Sequence, residues 1–503
     1  MGELPERAPE ETGIAPAALA LLGALGLSAA IVVRTNSWPG LLIALAQLLF
    51  ALSLVRPARL RGPRVAAIFS SSFAPLCTVL IALEVGWLVS AVPLFGPHGS
   101  FATLTTCGYG WALCGACGVA AVLEPEALRA RRWLGAALVL SAVMCCAIVQ
   151  LNPSPPIDVH LFHLQAFEAL RAGRSPYGGS IRNLYPGANF YSLEVLSPDQ
   201  SRVLIGYPYP PLQVMLAFLA QTLLGDYRLL HALAIPLSAA LLALARPSRA
   251  ATACAVLLSL LPCGFFVLAG AWIEPVLLLL FSLVVFAALR APRLAPYALG
   301  LFLADKQYAA FLLPLLPLLL PGRTRRELLR AALVAALVAL AVTLPLALWN
   351  LRGFLDDVIL CQLRQPFRPD SISVSATLVQ EAGRLYGQEP WRLSRELTAT
   401  LAARLSPGWL CLALFALAVA LALWRAPRGP QGFCAGAALA FALFFGFAKQ
   451  SFENYLLFAI GCALWTAALA TQEGSPPAPA AAPISAAAVR DPACEIPTGD
   501  ISK

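Results

Sequence analysis

The sequence predicts an all-α, polytopic membrane protein, and this prediction rests on its composition and on the lengths of its apolar blocks. Of 503 residues, 59% are hydrophobic and only 12% are charged, whereas about a quarter of the residues in a soluble domain are charged. The apolar blocks run over roughly 17–25 residues, the length at which a helix crosses a hydrocarbon core of about 30 Å. An ordinary soluble enzyme, a disordered protein and a nucleic-acid-binding protein are therefore excluded.

The apolar blocks predict about 14 transmembrane helices. Their expected bounds are 14–33, 38–55, 68–93, 101–123, 133–151, 228–245, 251–269, 274–289, 295–306, 308–321, 328–349, 406–424, 431–448 and 452–470. The stretch 210–224 is also apolar, but it is short and opens with two prolines. We therefore expect a helix that lies in the membrane interface or dips into it without crossing.

Six arginine clusters predict the orientation of these helices, because basic loops stay in the cytoplasm. The clusters lie at 56–64, 129–132, 246–249, 290–293, 323–330 and 425–428. All six fall on one side if both termini are cytoplasmic, so the net charge of +9 reflects topology rather than an anionic partner. Two long segments, 152–227 and 350–405, are then expected to face outward.

This topology divides the chain into four predicted parts. Residues 1–13 form a cytoplasmic tail, 14–132 a transmembrane extension, and 133–471 a transmembrane module that includes both outward-facing segments. Residues 472–503 are rich in Pro, Ala and Ser, so a disordered cytoplasmic tail is expected. The acidic N-terminus argues against a cleaved signal peptide. Most of the 13 cysteines lie within apolar spans, where they behave as small buried hydrophobes.

The segment 152–227 contains a predicted amphipathic helix that begins at Asp158 and ends before Gly173. Asp158 occupies the expected N-cap, where a carboxylate accepts hydrogen bonds from free backbone N–H groups. A carboxylate held rigidly at the membrane surface is also a candidate general base, and the two roles are compatible. His160 and His163 could share a metal ion with Asp158, but interfacial side chains are the favoured interpretation and no metal site is expected.

Lysine is rare in this chain, so its positions are informative. Only three of the 35 basic residues are lysines, a bias that we expect from a GC-rich bacterial genome. Lys306 and Lys449 both fall at outer ends of predicted spans, where ionisable groups are functional candidates. Each ammonium could bind a phosphate oxygen or extend toward lipid headgroups, and the sequence leaves both roles open. Glu274, at another outer span end, is either a second carboxylate of the site or the salt-bridge partner of a lysine.

Several short motifs, in this order, resemble the GT-C superfamily of polyprenyl-phosphate-sugar glycosyltransferases, and most of all glycosyltransferase family eighty-seven, a bacterial mannosyltransferase-like group. The motifs that carry the resemblance are Asp158 before its helix, Gly173-Arg174-Ser175-Pro176-Tyr177, Tyr209-Pro210-Pro211-Leu212, Lys306 before the Leu/Pro-rich run 311–321, and Lys449-Gln450 up to Tyr455. The resemblance runs from about 150 to 470 and leaves out the first four predicted spans.

The resemblance implies a GT-C-like catalytic module in the bacterial cytoplasmic membrane, with its active site on the outer side. The enzyme would move a sugar, mannose or another hexose or pentose, from a polyprenyl-phosphate donor to a lipid or glycan acceptor, with inversion. Asp158 would be the catalytic base, and Lys306 and Lys449 would bind the donor phosphate. Five further residues would contact substrate: His160, Tyr177, Tyr209, Glu274 and Gln450. Neither a metal, a cofactor nor a nucleic acid is implied, and membrane lipids surround the protein.

Two other functions stay open on the sequence. A transporter or lipid flippase is the main alternative, and such proteins often have paired repeats and helices broken at the bilayer midplane. This chain instead concentrates its polar residues at the outer ends of spans and in the two long outer segments. The other alternative is a non-enzymatic scaffold for envelope assembly, a role that gives no reason for Lys306 and Lys449.

Overall fold

The computed structural model describes residues 63–95, 101–188, 190–385, 387 and 393–470. The predicted spans 14–33 and 38–55 and both predicted tails lie outside these residues. Within the described part, about 75% of the chain is helical.

Six helical segments of the described part are long and apolar enough to cross a membrane, which confirms the prediction of an all-α membrane protein. They are Thr103–Leu123, Ala127–Leu151, Arg228–Ala245, Arg249–Ala269, Arg325–Trp349 and Arg395–Arg425. Five further apolar helical stretches of the described part run over 10–17 residues, so the total of about 14 crossings stays a prediction.

The described chain starts with three helices that are joined by short connections and pack against one another. They are α1 (Pro63–Phe95), α2 (Phe101–Leu123) and α3 (Ala127–Leu151). The thiol of Cys114 in α2 donates to the carbonyl oxygen of Ala137 in α3 at 3.2 Å. The described cysteines are free and most are buried, as predicted.

The predicted outer segment 152–227 is ordered around two helices. The first, α4 (Asp158–Arg171), is followed as predicted by Gly173 in the left-handed conformation, with a φ of 65°. A short antiparallel pair follows, β1 (Ile181–Arg182) with β2 (Arg202–Val203). The second helix, α5 (Pro211–Leu224), has 14 residues. Its length of about 21 Å fits the predicted helix that does not cross, although its depth in the bilayer stays a prediction.

The next four helices form the centre of the bundle: α6 (Arg228–Ala245), α7 (Arg249–Leu260), α8 (Pro262–Ala269) and α9 (Glu274–Arg290). The predicted span 251–269 is broken at Leu261. The break occurs because Pro262 has no N–H to continue the hydrogen-bond ladder and instead begins a new helix.

A short hairpin replaces the predicted spans 295–306 and 308–321. Its arms are α10 (Ala295–Leu303) and a 3₁₀ helix (Gln307–Leu315) that continues into α11 (Leu316–Leu319). The nine residues of α10 rise only about 14 Å, so this arm is too short to cross a bilayer alone. The turn between the arms carries Asp305 and Lys306, and both side chains are buried.

The remaining chain includes the predicted outer segment 350–405, which folds into short helices. In chain order the elements are α12 (Arg325–Trp349), α13 (Leu351–Phe354), a π-helical turn (Leu355–Leu360), α14 (Cys361–Arg364), α15 (Val374–Leu385), α16 (Arg395–Leu405), α17 (Trp409–Arg425), α18 (Pro430–Gly446) and α19 (Glu453–Ala470). A capping box of Thr324 and Glu327 satisfies free N–H groups at the start of α12.

Two hydrophobic cores position the candidate site. The larger core lies among the long helices and includes the fully buried rings of Phe281 and Phe458. The smaller core packs against α4 and includes Phe167, Tyr207 and Tyr227. Because each large ring removes about 150–250 Å² from water, the smaller core holds α4, and the carboxylate at its first residue, in a defined position.

Candidate functional site

Asp158 is the first residue of α4 and not its N-cap, so the predicted cap position is wrong by one residue. The N-cap is Ile157, whose extended backbone continues the Pro-Pro sequence that precedes it. Oδ1 of Asp158 accepts a hydrogen bond from the N–H of Val159 at 2.8 Å, and Oδ2 accepts one from the hydroxyl of Tyr191. The carboxylate is thus fixed from both sides, by its own helix start and by a tyrosine from the following loop.

The electrostatic surroundings of Asp158 act in opposite directions. Burial raises the pKa of the carboxyl above its ordinary value of 3.8, and this is the largest effect. The hydrogen bonds from Tyr191 and from the N–H of Val159 lower that pKa, and so does the positive charge of Arg368. The carboxylate is therefore more basic than an exposed aspartate, and its basicity is set by these neighbours.

Arg368 is a site residue that sequence reasoning missed. Its guanidinium carbon lies 3.4 Å from the centroid of the Phe190 ring and 4.9 Å from that of Phe452. The guanidinium also donates two hydrogen bonds to Asp370, at 2.7 and 2.6 Å. The segment 350–405 contains several arginines, and no local pattern separates Arg368 from the others. Tyr191 likewise carries no sequence signal that would connect it with Asp158.

Lys306 and Glu274 form a buried ion pair. Nζ of Lys306 lies 2.8 Å from Oε1 of Glu274, and the side chains are only 5% and 0% exposed. This contact matches one of the two roles that the sequence left open for Glu274, the salt-bridge partner of a lysine, and its contact with a substrate stays a prediction. The alternative in which Lys306 extends toward lipid headgroups is wrong, because the ammonium faces the protein interior.

Three tyrosines surround the ammonium of Lys306. Nζ lies 4.5 Å from the ring centroid of Tyr209, 5.6 Å from that of Tyr455 and 5.7 Å from that of Tyr308. Ring faces carry negative electrostatic potential, so the tyrosines stabilise the cation without neutralising it. The hydroxyl of Tyr177 donates to the carbonyl oxygen of Tyr209 at 3.2 Å, so Tyr177 positions one wall of this cage.

Two charged groups, the Asp158 carboxylate and the Lys306–Glu274 pair, act on the same two tyrosines. Burial raises the pKa of Tyr209, and the charges of Glu274 and Asp158 are the next largest causes. Tyr455 lies within electrostatic range of Glu274, Asp158 and Arg368. Asp158 and the Lys306–Glu274 pair thus lie within electrostatic range of the same two rings, although they are distant in sequence.

Some buried polar atoms of this site have no hydrogen-bond partner among the residues that the structure describes. They are Oε2 of Glu274, both carboxyl oxygens of Asp305 and the hydroxyl of Tyr308. A buried polar group without a partner is costly and is uncommon in native proteins. Because these unpartnered atoms lie close to Lys306, they indicate a site at which a polar ligand could form hydrogen bonds.

Lys449 and Gln450 contact the chain that leads to Arg368. Nζ of Lys449 donates to the carbonyl oxygens of Leu363 and Gln365, at 2.9 and 2.6 Å. Nε2 of Gln450 donates to the carbonyl oxygen of Pro366 at 3.1 Å, and the carbonyl oxygen of Lys449 accepts from the N–H of Arg368 at 2.9 Å. Desolvation lowers the pKa of Lys449. These contacts assign Lys449 and Gln450 to positioning Arg368, and their direct contact with a substrate stays a prediction.

The two histidines of α4 are buried, not interfacial as the sequence predicted. Nδ1 of His160 lies 3.0 Å from the hydroxyl of Tyr227, while His163 contacts the carbonyl oxygen of Val159 at 2.8 Å and the hydroxyl of Tyr207 at 2.9 Å. Burial lowers the pKa of His160 to about 4 and that of His163 to about 3, so both rings are neutral at pH 7.

The predicted contact of His160 with substrate finds no support in this arrangement. His160 follows Asp158 by two positions, which places its side chain about 200° around the helix. It therefore lies on the opposite side of α4 from the carboxylate. No group of three or more His, Cys, Asp or Glu side chains that could hold a metal ion is found among the described residues.

Comparison with known proteins identifies no relative: no family model, no curated protein and no solved structure matches this chain. The likeness to the GT-C glycosyltransferases is thus carried by the motif residues alone.

Proposed function

We propose that the protein is a membrane glycosyltransferase that transfers a sugar from a polyprenyl-phosphate donor to a hydroxyl group of a lipid or glycan acceptor. One observation carries the proposal: the partly buried carboxylate of Asp158 acts electrostatically on Tyr209 and Tyr455, the same two tyrosines whose rings lie 4.5 and 5.6 Å from the ammonium of buried Lys306. Glycosyl transfer from a phosphate leaving group needs a base for the acceptor hydroxyl and a cation for the charge that develops on the phosphate. The donor brings its own activated phosphate, so no nucleotide-binding loop is required.

Asp158 is proposed to be the general base. Its pKa is raised by burial, and a more basic carboxylate accepts a proton from a hydroxyl more readily. Each carboxylate oxygen has two lone pairs, so the bonds from Val159 and Tyr191 leave capacity for the acceptor hydroxyl. As the acceptor oxygen attacks the anomeric carbon, its proton passes to Asp158 and the sugar–phosphate bond breaks, which inverts the anomeric carbon.

Lys306 and Arg368 are proposed to stabilise the negative charge that grows on the phosphate. The ammonium of Lys306 has three N–H donors, of which one is engaged by Glu274. The others face the tyrosine cage, where a phosphate oxygen could accept them. Cations that are already held in place before reaction stabilise a transition state without reorganisation. Glu274 and Asp370 are then positioning residues that keep the two cations in place.

The exposed apolar surface of α12 supports the proposal that the donor is linked to a lipid. Within this helix, an 18-residue apolar window is only 17% buried in the protein, the lowest value among the six candidate spans. Exposed leucines follow one another along the helix at Leu329, Leu333, Leu337, Leu340, Leu344 and Leu348. The helix ends at Trp349, and the chain after it reaches the neighbour of Lys306, because Nε2 of Gln307 donates to the carbonyl oxygen of Val358 at 3.1 Å. An isoprenoid chain lying along α12 would therefore bring its phosphate toward the tyrosine cage.

The proposal includes the finer topology of about 14 spans, cytoplasmic termini and an outward-facing site in a bacterial cytoplasmic membrane. This topology is supported by two helices that each have an arginine at or beside one end and a site residue at or beside the other end. Glu274 begins α9 and Arg290 ends it. Arg428 precedes α18 and Lys449 follows it. Because basic loops are cytoplasmic, the site would lie at the external ends of these helices.

A transporter is the second candidate, and two features favour it. The helix pair α7 and α8 is broken at Leu261, and the hairpin turn carries the buried carboxylate of Asp305, for which the described residues provide no hydrogen-bond donor. Broken helices and ionisable groups within the membrane are common in transporters. The ordered carboxylate of Asp158, which lies on a helix outside the long spans, favours the enzyme.

The test is transfer of radiolabel from polyprenyl-phosphate mannose, and from other polyprenyl-phosphate sugars, to endogenous acceptors in vesicles that contain the full-length protein. We expect labelled glycan with the wild-type protein and with Asp199→Asn, a change at an exposed aspartate of the same segment. We expect none with Asp158→Asn. Movement of the intact donor across the vesicle membrane, without transfer, would instead identify a transporter.

A further inference from the structure

A second polar site lies along α4, beyond the carboxylate of Asp158. It is an open groove of about 720 Å³, bordered by the second half of α4, the loop 178–180 and the segment 350–357. Among the described residues that line it, Leu204 is the one large apolar side chain. The groove therefore suits a hydrophilic ligand and not a lipid tail.

The charges of the groove balance one another. Three arginines and three carboxylates line it: Arg174, Arg202, Arg352, Glu168, Asp356 and Asp357. A balanced lining does not select an anion or a cation, but it offers many hydrogen-bond donors and acceptors side by side. The ligand chemistry that fits is a neutral molecule with many hydroxyl groups.

The walls of the groove are clamped together by hydrogen bonds. Oδ2 of Asp357 accepts from the N–H of Gly178 at 2.6 Å, and Nδ2 of Asn350 donates to the carbonyl oxygen of Tyr177 at 3.0 Å. Gly178 has a φ of 76°, a conformation that glycine adopts without strain. These contacts join the loop to the segment 350–357, so the groove has a defined shape before a ligand arrives.

Gln165 places an unsatisfied hydrogen-bond acceptor at the groove. Its carbonyl oxygen, Oε1, is buried and has no hydrogen-bond donor among the described residues. The side-chain amide lies so close to Gly179 that a Cβ at that position would collide with it. The amide is thus held against the loop with an unsatisfied acceptor, which a ligand hydroxyl would satisfy.

The groove and the carboxylate are aligned on one face of α4. Gln165 follows Asp158 by seven positions, which places the two side chains within about 20° of each other and about 10 Å apart along the helix axis. The lining of the groove ends at Gln165, and Leu161 and Phe162 pack in the smaller core between Gln165 and Asp158, so only a molecule longer than one sugar unit could extend from the groove over this turn to Asp158.

We propose that this groove binds the neutral oligosaccharide part of the acceptor, with the reacting hydroxyl extended along α4 to Asp158. The proposal rests on the glycosyltransferase function proposed above. It assigns Gln165 and Glu168 to acceptor binding and separates them from the donor site around Lys306. The acceptor is thus a glycan of more than one sugar.

A binding experiment tests the groove without turnover. Full-length Asp158→Asn protein in nanodiscs is titrated with a panel of neutral oligosaccharides and with uronate-containing and phosphorylated oligosaccharides of equal length. We expect the neutral compounds to bind, and Gln165→Ala or Glu168→Gln to weaken that binding about tenfold, the effect of one or two lost hydrogen bonds. Arg171→Ala is the matched control, because Arg171 is exposed on the same helix and does not line the groove.

Two outcomes would overturn the groove proposal: equal binding by the groove variants and the control, or binding of the anionic compounds alone. Glu168 is exposed, so the Glu168→Gln variant should fold normally. It therefore provides a valid test even if the Gln165→Ala variant does not fold.

Transfer kinetics separate this proposal from the proposed function. In the otherwise wild-type protein, the groove variants should raise the KM for acceptor about tenfold and leave the KM for donor unchanged. Transfer with an unchanged acceptor KM would overturn the groove proposal and leave the function standing. Binding in the groove without transfer from any labelled donor would overturn the glycosyltransferase and leave a glycan-binding site.

Discussion

The ammonium of Lys306 donates a 2.8 Å hydrogen bond to the carboxylate of Glu274, and both side chains are buried in the protein. The partners lie 32 positions apart, Lys306 at the turn of the hairpin and Glu274 at the start of α9. Taking two such charges out of water is costly, and their mutual attraction repays the cost only while both are present. Substitutions at this pair can therefore distinguish its contribution to stability from its contribution to function.

Single substitutions of the pair should unfold the protein more easily than the double substitution. Lys306→Met or Glu274→Leu leaves one buried charge without a partner, which costs about 3–5 kcal/mol. The double variant removes both charges and should recover most of that loss, while transfer stays abolished because the proposed phosphate contact is gone. Unfolding in mixed micelles and the rate of transfer measure the two effects. A double variant no more stable than either single variant would show that the pair is not coupled.

Asp158→Asn should lower the rate of transfer by about 10²–10⁴, the contribution of a positioned general base. The substitution keeps the shape of the side chain, and an amide oxygen can still accept the hydrogen bonds from Val159 and Tyr191. Structure and donor binding should therefore be preserved. Initial rates at saturating donor provide the measurement, with Asp199→Asn as the control. A near-normal rate would assign the base to another group.

The rate of transfer should fall at acidic pH, and the fall should occur at a higher pH than an ordinary aspartate would cause. The base must be deprotonated, and burial raises the pKa of Asp158 above 3.8. The hydrogen bond from Tyr191 and the charge of Arg368 both lower this pKa. Tyr191→Phe and Arg368→Gln should therefore move the acidic limb of the pH profile further upward.

The measurement for this pH dependence is kcat/KM as a function of pH. Arg368→Lys keeps the positive charge and should shift the profile less than Arg368→Gln. Tyr297→Phe, at an exposed tyrosine in α10, is the control and should leave the profile unchanged. Identical acidic limbs in the wild type and in both site variants would show that Asp158 does not control the rate.

Gly206→Ala should destabilise the loops beside the groove by about 1–3 kcal/mol, the usual cost of overpacking. A Cβ at this position would lie 2.5 Å from Oδ2 of Asp357 and 2.7 Å from the backbone nitrogen of Gly179. Gly408→Ala is the control, since a Cβ there meets nothing within 4 Å. The transition temperature of thermal unfolding is measured for both variants. Equal temperatures would contradict the close packing of Gly206 against Asp357 and Gly179.

Membrane topology can be tested by cysteine labelling from outside the cell on a cysteine-free background. Probes at Asp199 and Ser394, which are exposed in the two predicted outer segments, should react with a membrane-impermeant reagent. A probe at Arg325, exposed at the start of α12, should not react. Labelling at Arg325 alone would reverse the orientation and place the candidate site on the cytoplasmic side.

The sequence by itself determined several of the long helices and their approximate bounds. The predicted spans 101–123 and 228–245 coincide with α2 and α6, and Gly173 follows α4 as expected. These features depend on local properties: an unbroken apolar stretch of sufficient length, or a glycine that adopts a left-handed conformation at a helix end. The helix break at Leu261 is caused by Pro262, which is also a local effect. The sequence predicts one continuous span here because the surrounding residues are strongly hydrophobic.

The tertiary structure alone decided which side chains meet. The sequence singled out Asp158, Lys306 and Glu274, but it left two roles open for Glu274. It did not connect Asp158 with Tyr191 or Arg368, and it placed the histidines of α4 at the interface. These outcomes depend on how helices and loops pack over long sequence distances, and periodicity and hydropathy carry no information about that packing. A side chain becomes a neighbour of Asp158 only once the smaller aromatic core has fixed α4 against the bundle.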